Sequence, residues 1–80
     1  MSTKAETQRG HFLFRVSEYG DGTPRISTEP FKAEDRLQVL GDGFIGFDLK
    51  RGTTIQQARQ IAEYLNDHLD CINCTLFQKD

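Results

Sequence analysis

Cys71-Ile72-Asn73-Cys74 is the first arrangement in this chain whose spacing could do chemistry, because a C-x-x-C pair can cycle between thiols and a disulfide or hold a metal. A redox pair needs a helix N-terminus, whose dipole lowers a thiol pKa, whereas this pair follows a helix C-terminus. On a strand, positions i and i+3 also face opposite sides, which makes a bridge between them difficult. With His68 the run reads H-x-x-C-x-x-C, and His11 would be a fourth ligand to zinc. No second Cys pair backs that set, and a cation at His68 also suits the helix end, so neither a metal nor a cofactor is expected.

Gly41-Asp42-Gly43-Phe44-Ile45-Gly46 matches G-x-G-x-x-G, the glycine pattern that lets a backbone approach a pyrophosphate. That pattern must open a helix, but Phe47-Asp48-Leu49 continues a strand, so a tight turn is expected instead. Lys50, Arg51, Thr53 and Thr54 bring two cations and two hydroxyls to a helix start, which would suit a phosphate or carboxylate. The same residues are the ordinary polar edge of a strand leading into a capped helix. Phe12, Phe14, Phe44 and Phe47 invite comparison with base-stacking sheets, yet three of them share faces with Val16, Ile45 and Leu49 and are expected in the core. The histidines and carboxylates show no acid/base or nucleophile arrangement, so an enzyme is not the favoured class.

The elements that would position these residues follow from periodicity. Phe12, Phe14 and Val16 alternate with Leu13, Arg15 and Ser17, the pattern of a half-buried strand. Gly20-Asp21-Gly22-Thr23-Pro24 then marks a turn and Arg25 to Phe31 a returning strand, which together predict a hairpin. Phe31 to Arg36 reads as a loop, Leu37 to Leu40 as a short strand, and Ile45, Phe47 and Leu49 alternate on a further strand. A helix is predicted from Thr53 to His68, with Ile55, Ala58, Ile61, Ala62, Leu65 and Leu69 on its apolar side. Gln56 and Gln57 stand three residues after Thr53 and Thr54, so either threonine can complete a capping box. Cys71 to Phe77 closes the chain as a strand, and a helical crossover from the Leu49 strand predicts that those two strands are parallel, with right-handed connection.

The expected fold class is therefore α+β: a two-layer sandwich of one helix, about 53–68, on a mostly antiparallel sheet of four or five strands. Residues 1–10 are expected to be a disordered tail, 11–77 a single domain and 78–80 a second tail. Leu, Ile, Val and Phe supply 20 of the 80 residues and the net charge is only −2, too apolar and too nearly neutral for a disordered chain. Basic residues never run beyond Lys50-Arg51, which disfavours a nucleic-acid partner. No apolar run approaches the ~20 residues of a membrane span, and residues 1–10 lack a signal-peptide core, so a soluble cytoplasmic protein with free thiols is expected.

One helix covers one sheet face. The opposite face is expected to carry Leu13, Phe31, Phe44, Cys71 and Phe77 beside Arg15, Ser17, Asp48 and Asn73. That leftover apolar surface predicts a non-enzymatic interaction module, homodimeric or bound to another protein through Leu13, Phe31, Phe44 and Phe77. The alternative is a small-ligand or anion-binding domain at Lys50, Arg51, Thr53 and Thr54. Gly43 to Leu49, Gly52-Thr53-Thr54, Ala58, Ala62 and Leu65-Asn66-Asp67-His68 together resemble a group of short bacterial proteins of unknown function. The resemblance implies a bacterial source and a free-standing small domain, and no activity.

Overall fold

Apolar side chains at every second position define the central hairpin. In the computed structural model, which describes residues 3–79, strand β2 (Phe12–Glu18) turns Phe12 and Phe14 inward and strand β3 (Pro24–Pro30) turns Pro24, Ile26 and Thr28 the same way. The strands are antiparallel, with Phe14 opposite Thr28 and Val16 opposite Ile26. Gly22, at a φ of 86°, takes the left-handed conformation that the turn requires. The Thr23 amide donates to Asp21 Oδ1 at 2.9 Å, and this bond is the main reason the exposed Asp21 carboxyl is held below its usual pKa. The hairpin read from the sequence is thus present.

A short strand, β4 (Gly46–Asp48), adds to β3 and completes a three-stranded antiparallel sheet in the order β2-β3-β4. The expected strand over Leu37 to Leu40 is a 3-10 turn, Gln38–Leu40, and a second such turn spans Ala33–Asp35. Leu37, at the start of that turn, is nonetheless buried, and Thr28 Oγ1 on β3 donates to the Ile45 carbonyl at 2.6 Å.

Helix α1 (Ile55–His68) begins at Thr54, not Thr53. Thr54 Oγ1 accepts the Gln57 amide at 3.1 Å and Gln57 Oε1 accepts the Thr54 amide at 2.9 Å, a complete capping box. Ala58 and Ala62 meet Phe14 and Ile26 in the core, with Val16, Leu49, Leu65 and Ile72 packed around them. Two alanines at the contact bring the helix close to the sheet and narrow its buried stripe, so Ile61 and Leu69, expected inside, are exposed.

β2 is an edge strand of its sheet, yet its edge is not bare. The Phe14 amide donates to Asn66 Oδ1 at 2.8 Å and Asn66 Nδ2 donates to the Phe14 carbonyl at 2.9 Å, so one side chain from α1 stands in for a neighbouring strand. Replacing Asn66 by alanine leaves both partly buried groups unpaired and is expected to cost about 1–3 kcal/mol in a urea unfolding curve. Asn66→Asp keeps the acceptor alone and should fall between.

Two expectations are corrected at the chain ends. Residues read as a tail form strand β1 (Thr3–Gly10), which pairs antiparallel with strand β5 (Ile72–Lys79) from Thr3 opposite Lys79 to Gly10 opposite Ile72. The expected parallel pairing of β4 with β5 does not form, because β5 joins β1 in a separate two-stranded sheet and no crossover lies within one sheet. Glu6 and Gln8 alternate with Thr7 and Arg9 along β1, so a strand lying in an exposed ribbon leaves no apolar period to read. The ribbon lengthens the molecule to 48 Å along one axis and 24 by 23 Å across it. Among the described residues no helix is long and apolar enough to cross a membrane.

Candidate functional site

The β1–β2 junction and the α1–β5 junction meet at the base of the ribbon. Gly10 opposite Ile72 is the last pair of the β1–β5 ladder, and the next step along it brings His11 beside Cys71. A cleft of about 590 Å³ opens there, lined among others by His11, Leu13, Phe31, Asp35, Leu69 and Asp70. Its mixture of apolar walls and a few converging polar groups has the general character of a ligand site.

The polar groups are closely spaced. His11 Nδ1 lies 3.1 Å from the Asp70 carbonyl oxygen, 3.3 Å from Asp70 Oδ1 and 3.5 Å from Cys71 Sγ. One donor atom from each of the three residues fits within 4.8 Å of the others. Asp35 fixes the approach from behind: its carboxylate accepts the His11 amide and the Lys32 amide, each at 3.1 Å. Partial burial pushes the Cys71 thiol up from its ordinary pKa, the negative charges of Asp70 and Asp35 push it further, and Arg9 opposes them. These surroundings work against the activated thiolate that nucleophilic or redox catalysis needs.

The other C-x-x-C partners stand apart from this cluster. His68 stacks on Tyr64 with ring centroids 4.1 Å apart, and its Nδ1 lies 2.9 Å from the Tyr64 carbonyl oxygen. Cys71 and Cys74 are both free, and Cys74 lies on the half-buried side of β5 with Ile72 and Leu76. Of the four residues that the sequence offered, the fold brings His11 and Cys71 together and adds Asp70, while His68 and Cys74 stay apart. Only a correct β1–β5 register could have shown this.

The residues expected to form an apolar sheet face are dispersed. Leu13 and Phe31 share the cleft, Phe44 sits at a second cleft beside Leu37 and Leu40, and Phe77 stands on the ribbon with 72% of its surface exposed. The helix-free side of β2-β3-β4 carries polar pairs instead. Arg15 reaches Glu29 at 2.6 Å, Arg25 Nε donates to Ser17 Oγ at 3.0 Å, and Tyr19 donates to Asp48 at 2.5 Å. Arg25 also lies over the rings of Tyr19 and Phe44, 4.6 and 5.7 Å from their centroids. Leu13 is the exception on that side, and these cross-strand partners make it a solvated face in place of the expected apolar patch.

At the helix start Lys50 and Arg51 are exposed, and together with Thr53 they line a third, smaller cleft. Thr53 Oγ1 donates to the Lys50 carbonyl at 2.7 Å, and Thr54 is committed to the capping box. Both hydroxyls offered for an anion are thus engaged in shaping the turn. No family model, no curated protein and no solved structure matches this chain.

Proposed function

We propose that this chain is a non-enzymatic interaction module that assembles with a second copy of itself through the free edge of β5. The observation that carries the reading is the ribbon: β5 pairs with β1 on one side and, among the described residues, with nothing on the other. From Ile72 to Gln78 the strand contains no charge, whereas β1 carries Glu6 and Arg9. Proteins guard open strand edges with charge, and β1 is guarded in this way while β5 is not.

An uncharged strand suits its own antiparallel copy. Self-pairing about Cys74 or Thr75 brings Ile72, Cys74 and Leu76 of both copies onto one face of a four-stranded sheet and sets no like charges opposite one another. A two-stranded ribbon alone is marginal in water, and two further strands relieve that weakness. The area agrees: the chain exposes 6185 Å², about a quarter more than the ~4,900 Å² of a compact monomer of this mass. The helix-on-sheet body, read as a two-layer scaffold, then serves to hold the ribbon. The resemblance to short bacterial proteins adds no activity to this reading.

Sedimentation equilibrium of the full chain is the test. The expected result is a reversible monomer–dimer equilibrium in the micromolar range, shifted at least about tenfold towards monomer by Phe77→Lys, which sets a cation on the edge strand. The exposure of Phe77 makes that substitution compatible with the fold. A monomer at every concentration, or a dimer indifferent to Phe77→Lys and to the second edge variant Asn73→Lys, contradicts the reading.

A further inference from the structure

The geometry points to a divalent transition-metal site, best suited to Zn²⁺, formed by His11 Nδ1, an Asp70 carboxylate oxygen and Cys71 Sγ at the base of the ribbon. It is independent of the self-pairing of β5 and uses neither His68 nor Cys74.

Thiolate, imidazole and carboxylate are the three side-chain ligands zinc takes. Zinc bonds of about 2.0–2.1 Å to nitrogen, 2.0–2.2 Å to oxygen and 2.3 Å to sulfur, set at tetrahedral angles, require N···O edges of about 3.4 Å and N···S edges of about 3.6 Å. His11 Nδ1 stands 3.3 Å from Asp70 Oδ1 and 3.5 Å from Cys71 Sγ, so two edges of the ligand tetrahedron are already formed. The third edge closes by rotating exposed Asp70, whose side chain is 88% accessible, and the ion displaces the contact of His11 Nδ1 with the Asp70 carbonyl oxygen. His11 is aimed from its main chain, because Asp35 Oδ1 holds the His11 amide and the His11 carbonyl accepts the Phe31 amide at 2.9 Å.

The local charge favours a cation. Asp35 and Asp70 line the cleft together with Glu34, against Lys32 in the cleft and Arg9 near it on β1. Bringing a thiolate into that company is unfavourable by itself, and a divalent ion reverses the sign of the interaction. The metal replaces the proton on Cys71 Sγ and takes the Nδ1 lone pair of His11 in the tautomer that carries its proton on Nε2. Three protein ligands are one short of zinc's usual four, so the remaining position is taken by solvent or by a group bound in the cleft. Because residue 11 joins β1 to β2 and residues 70–71 join α1 to β5, a metal here clips both roots of the ribbon to the body.

The experiment is calorimetric titration of the reduced, chelator-treated full chain with Zn²⁺ alone, repeated with Co²⁺ to record the sulfur-to-cobalt charge-transfer band. One Zn²⁺ per chain is expected, with the charge-transfer band lost in Cys71→Ser. His11→Ala and Cys71→Ser should each weaken Zn²⁺ binding by about tenfold or more, while Cys74→Ser and His68→Ala leave it within about twofold. His11 is an exposed residue, so its variant keeps the assay informative should Cys71→Ser unfold. No saturable binding, binding that survives His11→Ala, or binding lost in Cys74→Ser would overturn the assignment, the last by moving the ion to the C-x-x-C pair.

Discussion

Replacing Ile26 by alanine is expected to lower the unfolding free energy by about 2–5 kcal/mol. Ile26 is fully buried at the centre of β3, between Val16 on β2 and Phe47 on β4, under Ala58 and Ala62 of α1. The neighbouring alanines cannot reach into the space it leaves, so the cavity persists and the upper half of that range applies. An 80-residue domain holds only about 4–12 kcal/mol in all, so the variant stands near its unfolding limit at room temperature. Ile26→Val, which removes one methylene, should cost only about 0.5–1.5 kcal/mol in the same denaturant series. Equal midpoints for Ile26→Ala and the parent chain would contradict the assignment of the core.

The second large effect is expected at Gly10. A Cβ at that position would lie 1.9 Å from the Asp35 carbonyl oxygen and 2.8 Å from its carbon, both main-chain atoms of the Ala33–Asp35 turn. Backbone cannot swing aside as a side chain can, so Gly10→Ala must push the turn away from the ribbon, at a cost of about 1–3 kcal/mol or more. The displacement also draws Asp35 away from the His11 and Lys32 amides that it holds. The glycine is needed here for close approach and not for a left-handed backbone, since its φ is not among the positive ones. Amide spectra should show the largest changes at His11, Lys32 and Asp35, and shifts confined to Gly10 and its chain neighbours would argue against the contact.

Both residues bear on what could be read from the sequence. Ile26 lies in the hairpin, where alternation and the Gly20–Pro24 turn announced the strands, and that part of the α+β fold was legible because one face is buried and the other wet. The capped start of α1 was legible for a similar reason, since threonine and glutamine at a spacing of three satisfy orphan amides locally. Gly10 carried no such signal. β1 is exposed from Ala5 to Thr7 and at Arg9 and carries polar residues on both faces, so its alternation has nothing apolar to display, and without β1 the partner of β5 was assigned to the wrong sheet. That single omission left His11 and Cys71 grouped with His68 and Cys74 and hid their meeting beside Asp70, because they are 60 positions apart and meet through the β1–β5 ladder.

The leftover sheet face failed for a different reason. Leu13, Phe31, Phe44 and Phe77 were placed together by strand parity, which cannot see that Phe31 and Phe44 lie outside the strands and Phe77 on a separate ribbon. The side chains that do share the face are Arg15, Ser17, Arg25, Ser27, Glu29 and Asp48, which pair with one another across the strands. An interaction role remains the reading, but its seat is an edge.

Amide hydrogen exchange at two protein concentrations tests that claim most directly. As the concentration rises through the monomer–dimer range, amides of β5 between Asn73 and Phe77 that do not bond to β1 should slow by about tenfold or more, while those of β1 and of α1 keep their rates. Exchange along β5 that is the same at both concentrations, or protection that grows along β1 instead, would contradict pairing through the β5 edge.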